Sequence, residues 1–289
     1  MEPTELKEMK AAHRVLAALD YPPGEVERGY ANRTLHVDLG ANTIEIRPVT
    51  PYMKDCFTGG KGFDLYLMWQ SIPGPIAWDD PRNGLYFSAG PLAGTPYFSG
   101  SGKCLVTGIS PLTASVMDCN VGGHFGPLLK FAGFDALEVR GKAPEFVLLV
   151  IDGDAHRVTL ETAPREALNS YDVASQLHRM YARTPDELQS ISVVSAGRGA
   201  LHSLMGCLNV SFYDWKRREP RLKQAGRGAL HTLIGCINIS FYDWKRREPR
   251  LKQAGRGGLG SVMMDKRLKA IVARSAKNRP RWAMSVEAP

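Results

Sequence analysis

Residues 135–160 read DALEVRGKAPEFVLLVIDGDAHRVTL, and their pattern decides the fold class. DALEVRG sets Leu137 and Val139 between charged neighbours, as a half-buried strand does. FVLLVIDGDAHRVTL is an apolar run, a turn at Asp152-Gly153 and a second run, so three strands follow one another through short connections. Upstream, TLHVDLGANTIEIRPV reads as a hairpin. Leu35, Val37 and Leu39 alternate with polar residues, residues 40–42 turn the chain, and Ile44 and Ile46 alternate back. GGKGFDLYLMWQSI is a glycine-rich start followed by an apolar-striped helix, and Pro73, Pro75 and Pro81 mark a loop. GLYFSAGPLAG predicts a short strand running into turns, and KCLVTGIS a β-rich run. Downstream, residues 166–183 favour a helix, and ISVV at 191–194 a strand. Hairpin-like succession with interspersed helices predicts an α+β fold built on mainly antiparallel β-sheets; the regular strand–helix alternation of a doubly wound sheet is missing.

The opening MEPTELKEMKAAHRVLAALD reads as a charged amphipathic helix with Leu6, Met9, Val15 and Leu16 on one side, ended by Tyr21-Pro22-Pro23-Gly24. It lacks the features of a secretory signal, so the expected address is cytoplasmic. Residues 1–24 are thus expected to be a helical extension, 25–275 the main domain, and 276–289 a tail. With 289 residues, 44% apolar and 23% charged, the composition is that of a globular domain, and no apolar run is long enough for a membrane helix. The five cysteines form no close pairs, which argues against a disulfide framework or a zinc site and for buried thiols.

Residues 196–224 and 225–253 are one 29-residue segment written twice. Only Ser203/Thr232, Met205/Ile234, Leu208/Ile237 and Val210/Ile239 differ, and the chain then begins the segment again as AGRGGLG. Each copy contributes +4 to a net charge of +8, so half of the basic excess is duplication. The run WKRREPRLKQ, with Trp215 and Trp244, could track a phosphate backbone, but a solvated, helix-ending charge run is the preferred reading. One copy suffices to connect ISVVSAGRGALHSLMGCLN to RLKQAGRGGLG. The other is surplus, expected to lie as a short amphipathic helix over the surface through Leu230, Leu233, Ile234, Ile237, Ile239 and Phe241. Two units are too few for a solenoid.

Two nucleotide motifs fail. GSGKC at 100–104 has Tyr97 where a P-loop needs its first glycine and Cys104 where it needs Ser or Thr. GRGGLG at 255–260 fits GxGxxG, but the charged, proline-broken stretch before it is not a predicted strand, and no acidic residue stands about twenty positions on.

Taken together, FTGGKGFDLYL, SAGPLAGTP, SPLT, the stretch NVGGHFGPLLKFAGFDA and AGRGGLGSVMMDKRLKA resemble, in order, the N-terminal domain of the aldehyde:ferredoxin oxidoreductase family. The resemblance covers about residues 29–275. It implies a tungsten- or molybdenum-bispterin whose phosphates are joined through magnesium, a polyanion that glycine loops can approach closely. By resemblance, the backbone carbonyls of Asn120 and Gln253 ligate the magnesium, a hard cation preferring oxygen. Val121, Gly122 and Gly123 pass under one pterin, and Lys252, Ala254, Gly255, Arg256 and Gly257 line the other. Lys103 stands where the family usually has arginine, keeping the charge without the planar fork of donors.

The resemblance further implies oxidation of an aldehyde to a carboxylic acid, with electrons leaving through a four-iron four-sulfur cluster to ferredoxin or a similar acceptor. The family's CxxCxxxC group and acid–base residues lie in helical domains beyond this segment. The expectation is therefore a fragment, inactive alone, with no catalytic residue of its own and a possible partner chain carrying those domains; a non-catalytic pterin-binding or scaffold subunit is the alternative. His124, His202 and His231 read as ordinary structural histidines.

Overall fold

The computed structural model describes residues 3–24, 26–95, 97, 100–206, 208–214, 219–225, 239–243, 248–252 and 257–276. Two mixed sheets and their helices form an α+β fold with mainly antiparallel pairing, as the hairpin succession predicts. The six-stranded sheet comprises β2 (Arg33–Asp38), β3 (Thr43–Pro48), β4 (Leu85–Ser88), β5 (Cys104–Ile109), β6 (Val116–Val121) and β7 (Ala136–Arg140), in the order β3-β2-β7-β4-β5-β6. The seven-stranded sheet comprises β1 (Val15–Asp20), β8 (Val147–Asp152), β9 (Arg157–Thr162), β10 (Ile191–Ala196), β11 (Leu208–Asp214), β12 (Glu219–Ala225) and β15 (Leu268–Arg274), in the order β1-β9-β8-β15-β10-β11-β12. Its partner hairpin, β13 (Ile239–Asp243) and β14 (Glu248–Lys252), forms a separate two-stranded sheet. Only β2–β7 and β8–β15 pair in parallel among these strands.

The layers follow from strand parity, since successive side chains point to opposite faces. Val147, Leu149 and Ile151 of β8 join Leu35, Val37, Phe87 and Val139 in a core shared by both sheets. Helices α4 (Phe125–Phe131) and α6 (Leu259–Asp265) contribute Leu128, Leu129, Val262 and Met263 to it. The alternate residues Leu148 and Val150 face α5 (Ser170–Tyr181), which supplies Val173 and Leu177. Behind the six-stranded sheet, α2 (Pro51–Cys56) and α3 (Lys61–Ser71) bury Met53, Phe63 and Leu67 against Tyr86 and Ala136. Both sheets are thus covered on both faces, which explains why β8 reads as an unbroken apolar run.

Several readings need correction. Helix α1 spans only Pro3–Ala11, and Val15–Asp20, read as more of the same helix, is strand β1 paired antiparallel to β9. An unpaired β9 edge would leave backbone groups without partners, and that demand overrides the helical preference of Leu and Ala. The charge run does not end a helix: Glu219–Ala225 is strand β12. In the second copy Ile239 and Phe241 belong to strand β13, not to an amphipathic helix, while residues 226–238 lie outside the described residues. A strand, β14, does precede GRGGLG, contrary to the sequence reading. It pairs antiparallel with β13 in its own sheet, so the parallel βαβ unit of a dinucleotide site is still missing. Cys104 and Cys119 are buried as expected, but Cys56 is exposed at the end of α2. Strands β6 and β15 and helix α4 add to the elements read from the sequence. Among the described residues no helix is long and apolar enough to cross a membrane.

Candidate functional site

Strand β6 organises the glycine-rich loops. Asn120, opposite Leu105 of β5, stands at one end, and Val116 and Met117, opposite Ile109 and Gly108, stand at the other. At about 3.3 Å per residue, Asn120 and Met117 are about 10 Å apart along the strand. Lys103, Asn120, Val121, Gly122 and Gly123 gather at the first end and Gly257 at the second. Gln253, Ala254, Gly255 and Arg256 lie outside the described residues, and of Lys252 only the backbone, the last residue of β14, is described.

At the Asn120 end is a cleft of 240 Å³ lined by Thr58, Gly59, Gly60, Lys61, Ser88, Gly90, Lys103 and Asn120 among others. Gly60 caps α3 at φ 54° after Gly59 at φ 124°, backbone that other residues adopt only with strain. This lets the chain turn sharply and bring the helix N-terminus, with its partial positive charge, to the cleft. Lys61 reaches across to Asp118 of β6, Nζ to Oδ1 2.8 Å. The amide of Lys103 donates to the Gly100 carbonyl at 2.9 Å, closing a tight turn. A Cβ on Gly102 would come within 2.6 Å of the Gly123 carbonyl oxygen, so the 100–103 and 122–123 loops meet backbone to backbone. Val121 turns its side chain into the core, whereas Asn120 is exposed at the mouth. Among the described residues, a Cβ on Gly90 would meet nothing within 4 Å.

Two buried polar groups hold these walls, and the sequence reading missed both. The Lys130 side chain is 2% exposed; its ammonium donates to the carbonyls of Gly29 (2.5 Å) and Gly90 (2.6 Å) and lies 3.7 Å from Asp135. Asp135 in turn accepts the amides of Ala31 and Asn32 at 3.0 and 2.7 Å. Burial pushes the Lys130 amine below its ordinary pKa, with Asp135 opposing that shift. Beneath Ser88 and Gly60, Asp64 of α3 is fully buried. Its Oδ2 accepts from Thr107 Oγ1 at 2.9 Å, while among the described residues Oδ1 has no hydrogen-bond partner. Burial pushes its carboxyl up to about 7, against the hydrogen bond from Thr107. The signal for Asp64 was a lone acid inside an apolar-striped helix, and for Lys130 a lone cation between Leu129 and Phe131.

The other end of β6 is closed. Gly257 (φ 76°) and Gly258 (φ 68°) lead into α6, and Cβ atoms there would overlap the Met117 side chain and the Leu204 carbonyl oxygen. Gly260 donates its amide to the Gly206 carbonyl at 2.9 Å, and Ser261 Oγ accepts the Gly206 amide at 3.0 Å and donates to the Ser203 carbonyl. The loop of the first repeat copy is therefore fastened to the start of α6.

The open end suits an anionic, oxygen-rich group: the Lys103 amine, a helix N-terminus and glycine walls with space where side chains would stand. Among the described residues no cluster of three or more His, Cys, Asp and Glu could hold a metal ion.

Residues 34–275 match the family model described as aldehyde ferredoxin oxidoreductase, N-terminal domain. A tungsten-containing aldehyde ferredoxin oxidoreductase of Pyrococcus abyssi is 31% identical over 199 residues, covering 63% of this chain and 32% of that protein. That of Pyrococcus horikoshii is 36% identical over 126 residues, covering 44% and 21%. Among solved structures, the active site complex BamBC of benzoyl coenzyme A reductase, in complex with 1,5-dienoyl-CoA, is similar with a TM-score of 0.64 and 27% identity, over 86% of this chain and 31% of that one. The matches thus span about a third or less of these proteins' lengths.

Proposed function

The chain belongs to the aldehyde ferredoxin oxidoreductase family through that family's N-terminal domain, and we propose that it is the seat of a tungsten- or molybdenum-bispterin. The observation that carries the reading is the convergence of Lys103 and Asn120 with the N-terminus of α3 on one glycine-walled cleft. Lys103 offsets phosphate charge, the positive end of α3 adds to it, and the Asn120 carbonyl, with that of Gln253, would offer oxygen to the magnesium. Lys130 keeps the Gly90 wall in place through its two carbonyl contacts. When bound, the cofactor supplies two-electron redox chemistry between an aldehyde with water and a carboxylic acid.

The electrons leave to ferredoxin or a similar acceptor through a four-iron four-sulfur cluster held by helical domains, and the segment alone does not turn over aldehyde. A second reading, a pterin-holding subunit of a split complex, shares the same seat; it is supported by the likeness to a chain of the active site complex BamBC. Chain produced anaerobically together with a family member's helical domains should retain pterin and tungsten or molybdenum in a fixed ratio after gel filtration. Dye-linked aldehyde oxidation then separates the readings: activity with the helical domains supports the enzyme, and loading without activity supports the subunit. Absence of both pterin and metal from the folded chain would remove the proposal.

A further inference from the structure

Hairpins β11–β12 and β13–β14 come from the two copies of the repeated segment and have the same register. Phe212, Tyr213 and Asp214 oppose Arg221, Pro220 and Glu219, and Phe241, Tyr242 and Asp243 oppose Arg250, Pro249 and Glu248. Only β11–β12 extends the large sheet, where Leu208, Asn209 and Val210 pair with Ala196, Ser195 and Val194 of β10. Leu208 and Val210 are buried in the central core.

The slot beside β10 makes a narrow chemical demand at Ser211, which is fully buried. The Nδ1 of His178 on α5 is 3.1 Å from the Leu188 carbonyl, an acceptor, so this nitrogen carries the proton and Nε2 is left to accept. Burial pushes the His178 pKa down to about 4, which keeps the ring neutral. Ser211 Oγ therefore donates to Nε2 at 2.6 Å and accepts the Val193 amide at 2.5 Å, while Ser192 Oγ donates to the Ser211 carbonyl at 2.6 Å. A small hydroxyl side chain satisfies both groups at once.

The second copy meets each demand. Ser240 corresponds to Ser211, and Ile237 and Ile239 correspond to Leu208 and Val210. Chain connection does not discriminate either, because AGRG stands at 196–199, 225–228 and 254–257, before and after each hairpin. Whichever hairpin is seated, the chain arrives from β10 through AGRG and leaves through AGRG, and one 29-residue unit is left over. The discriminating features are small: Ile237 moves a methyl branch relative to Leu208 at equal volume, and Ile239 carries one methylene more than Val210, which a close-packed core resists.

We propose that the slot formed by β10 and His178 is a binding site for either hairpin of this chain, and that β13–β14 takes it when β11–β12 is expelled. The surplus unit then precedes the seated hairpin instead of following it. The duplication is thereby a spare for one structural element, with the first copy favoured by its better-fitting valine.

The test uses the full-length chain with Ser211→Arg, Ser240→Arg and both together, since an arginine cannot enter the buried slot without leaving its charge unpaired. Thermal melts and hydrogen exchange read by mass spectrometry are compared, because LNVSF and INISF peptides differ in mass. Ser240→Arg should melt like the parent, Ser211→Arg should stay folded, and only the double variant should lose the cooperative transition. In Ser211→Arg, slow exchange should move from residues 208–211 to residues 237–240, with at least a tenfold change in rate in each. Three results would overturn the proposal: unfolding of Ser211→Arg alone, a folded Ser211→Arg in which residues 237–240 exchange as in the parent, or a folded double variant.

Discussion

The two ends of strand β6 use glycine for opposite purposes. At the Asn120 end, Gly90 has open space where a side chain would stand, and Gly59 and Gly60 bend the backbone so that a helix N-terminus faces the cleft. At the Met117 end, the spaces beside Gly257 and Gly258 are filled by Met117, Pro111 and the backbone of Leu204. One end leaves room for a ligand, and the other removes side chains so that protein can meet protein. A glycine-rich motif therefore does not mark a binding loop until the occupant of the missing Cβ is known.

The comparison breaks most visibly at the closed end. Gly258→Val forces a β-branched side chain into the left-handed region and onto the Leu204 carbonyl, in a loop that Ser203 and Gly206 tie to α6. The expected cost, from left-handed strain and overpacking together, is about 4 kcal/mol, a large share of the about 5–15 kcal/mol that holds a domain folded. A chemical denaturation curve superimposable on the parent's would show that the loop is looser than the contacts imply.

Next in size is Lys130→Met, which leaves the Gly29 and Gly90 carbonyls and Asp135 without their cation. Breaking such a buried arrangement costs about 3–5 kcal/mol. Its urea midpoint should fall accordingly, and Lys130→Arg should restore less than half of the loss, because the larger fork does not fit the pair of carbonyls. Full recovery by arginine would mean that charge alone matters at this wall.

Asp64 gives a smaller, pH-dependent effect. Its carboxyl titrates near 3.8 when unfolded and about 7 when folded, so the fold binds its proton more tightly than the open chain does. Stability is therefore lost as pH rises from the lower value to the higher and is level above it. Asp64→Asn removes the ionisation, and its advantage over the parent should be about 3 kcal/mol larger at about pH 8 than at about pH 5. Parallel stability curves for the two proteins across that range would exclude burial of a titrating carboxyl beneath the cleft.

Much of this was legible in the sequence. The β2–β3 and β8–β9 hairpins announced themselves through alternation and their turns, and α3 through its glycines and apolar stripe. Strand β6 was hidden because its outward positions, Asp118 and Asn120, are polar and its core positions include Cys119, so no apolar run marks it. Strand β1 was misread because LAAL suits a helix locally, and only the distant β9 edge makes it a strand. The cleft itself joins Gly59, Ser88, Lys103 and Asn120, which four separate segments contribute. Their residue types were visible, but the backbone pairing that brings them together was not. Lys130 and Asp64 escaped for the same reason: their importance lies in partners far away in the chain.

The most direct test of the open end is Gly90→Val. With no atom of the described residues within 4 Å of the new Cβ, the substitution should change stability by no more than about 0.5 kcal/mol. The branched side chain would nevertheless occupy the space we propose for the cofactor. Pterin per folded chain, measured after anaerobic production with the family's helical domains, should fall at least about tenfold, the equivalent of about 1.4 kcal/mol in retention. Unchanged pterin content in a variant that melts like the parent would contradict the assignment of this cleft as the seat.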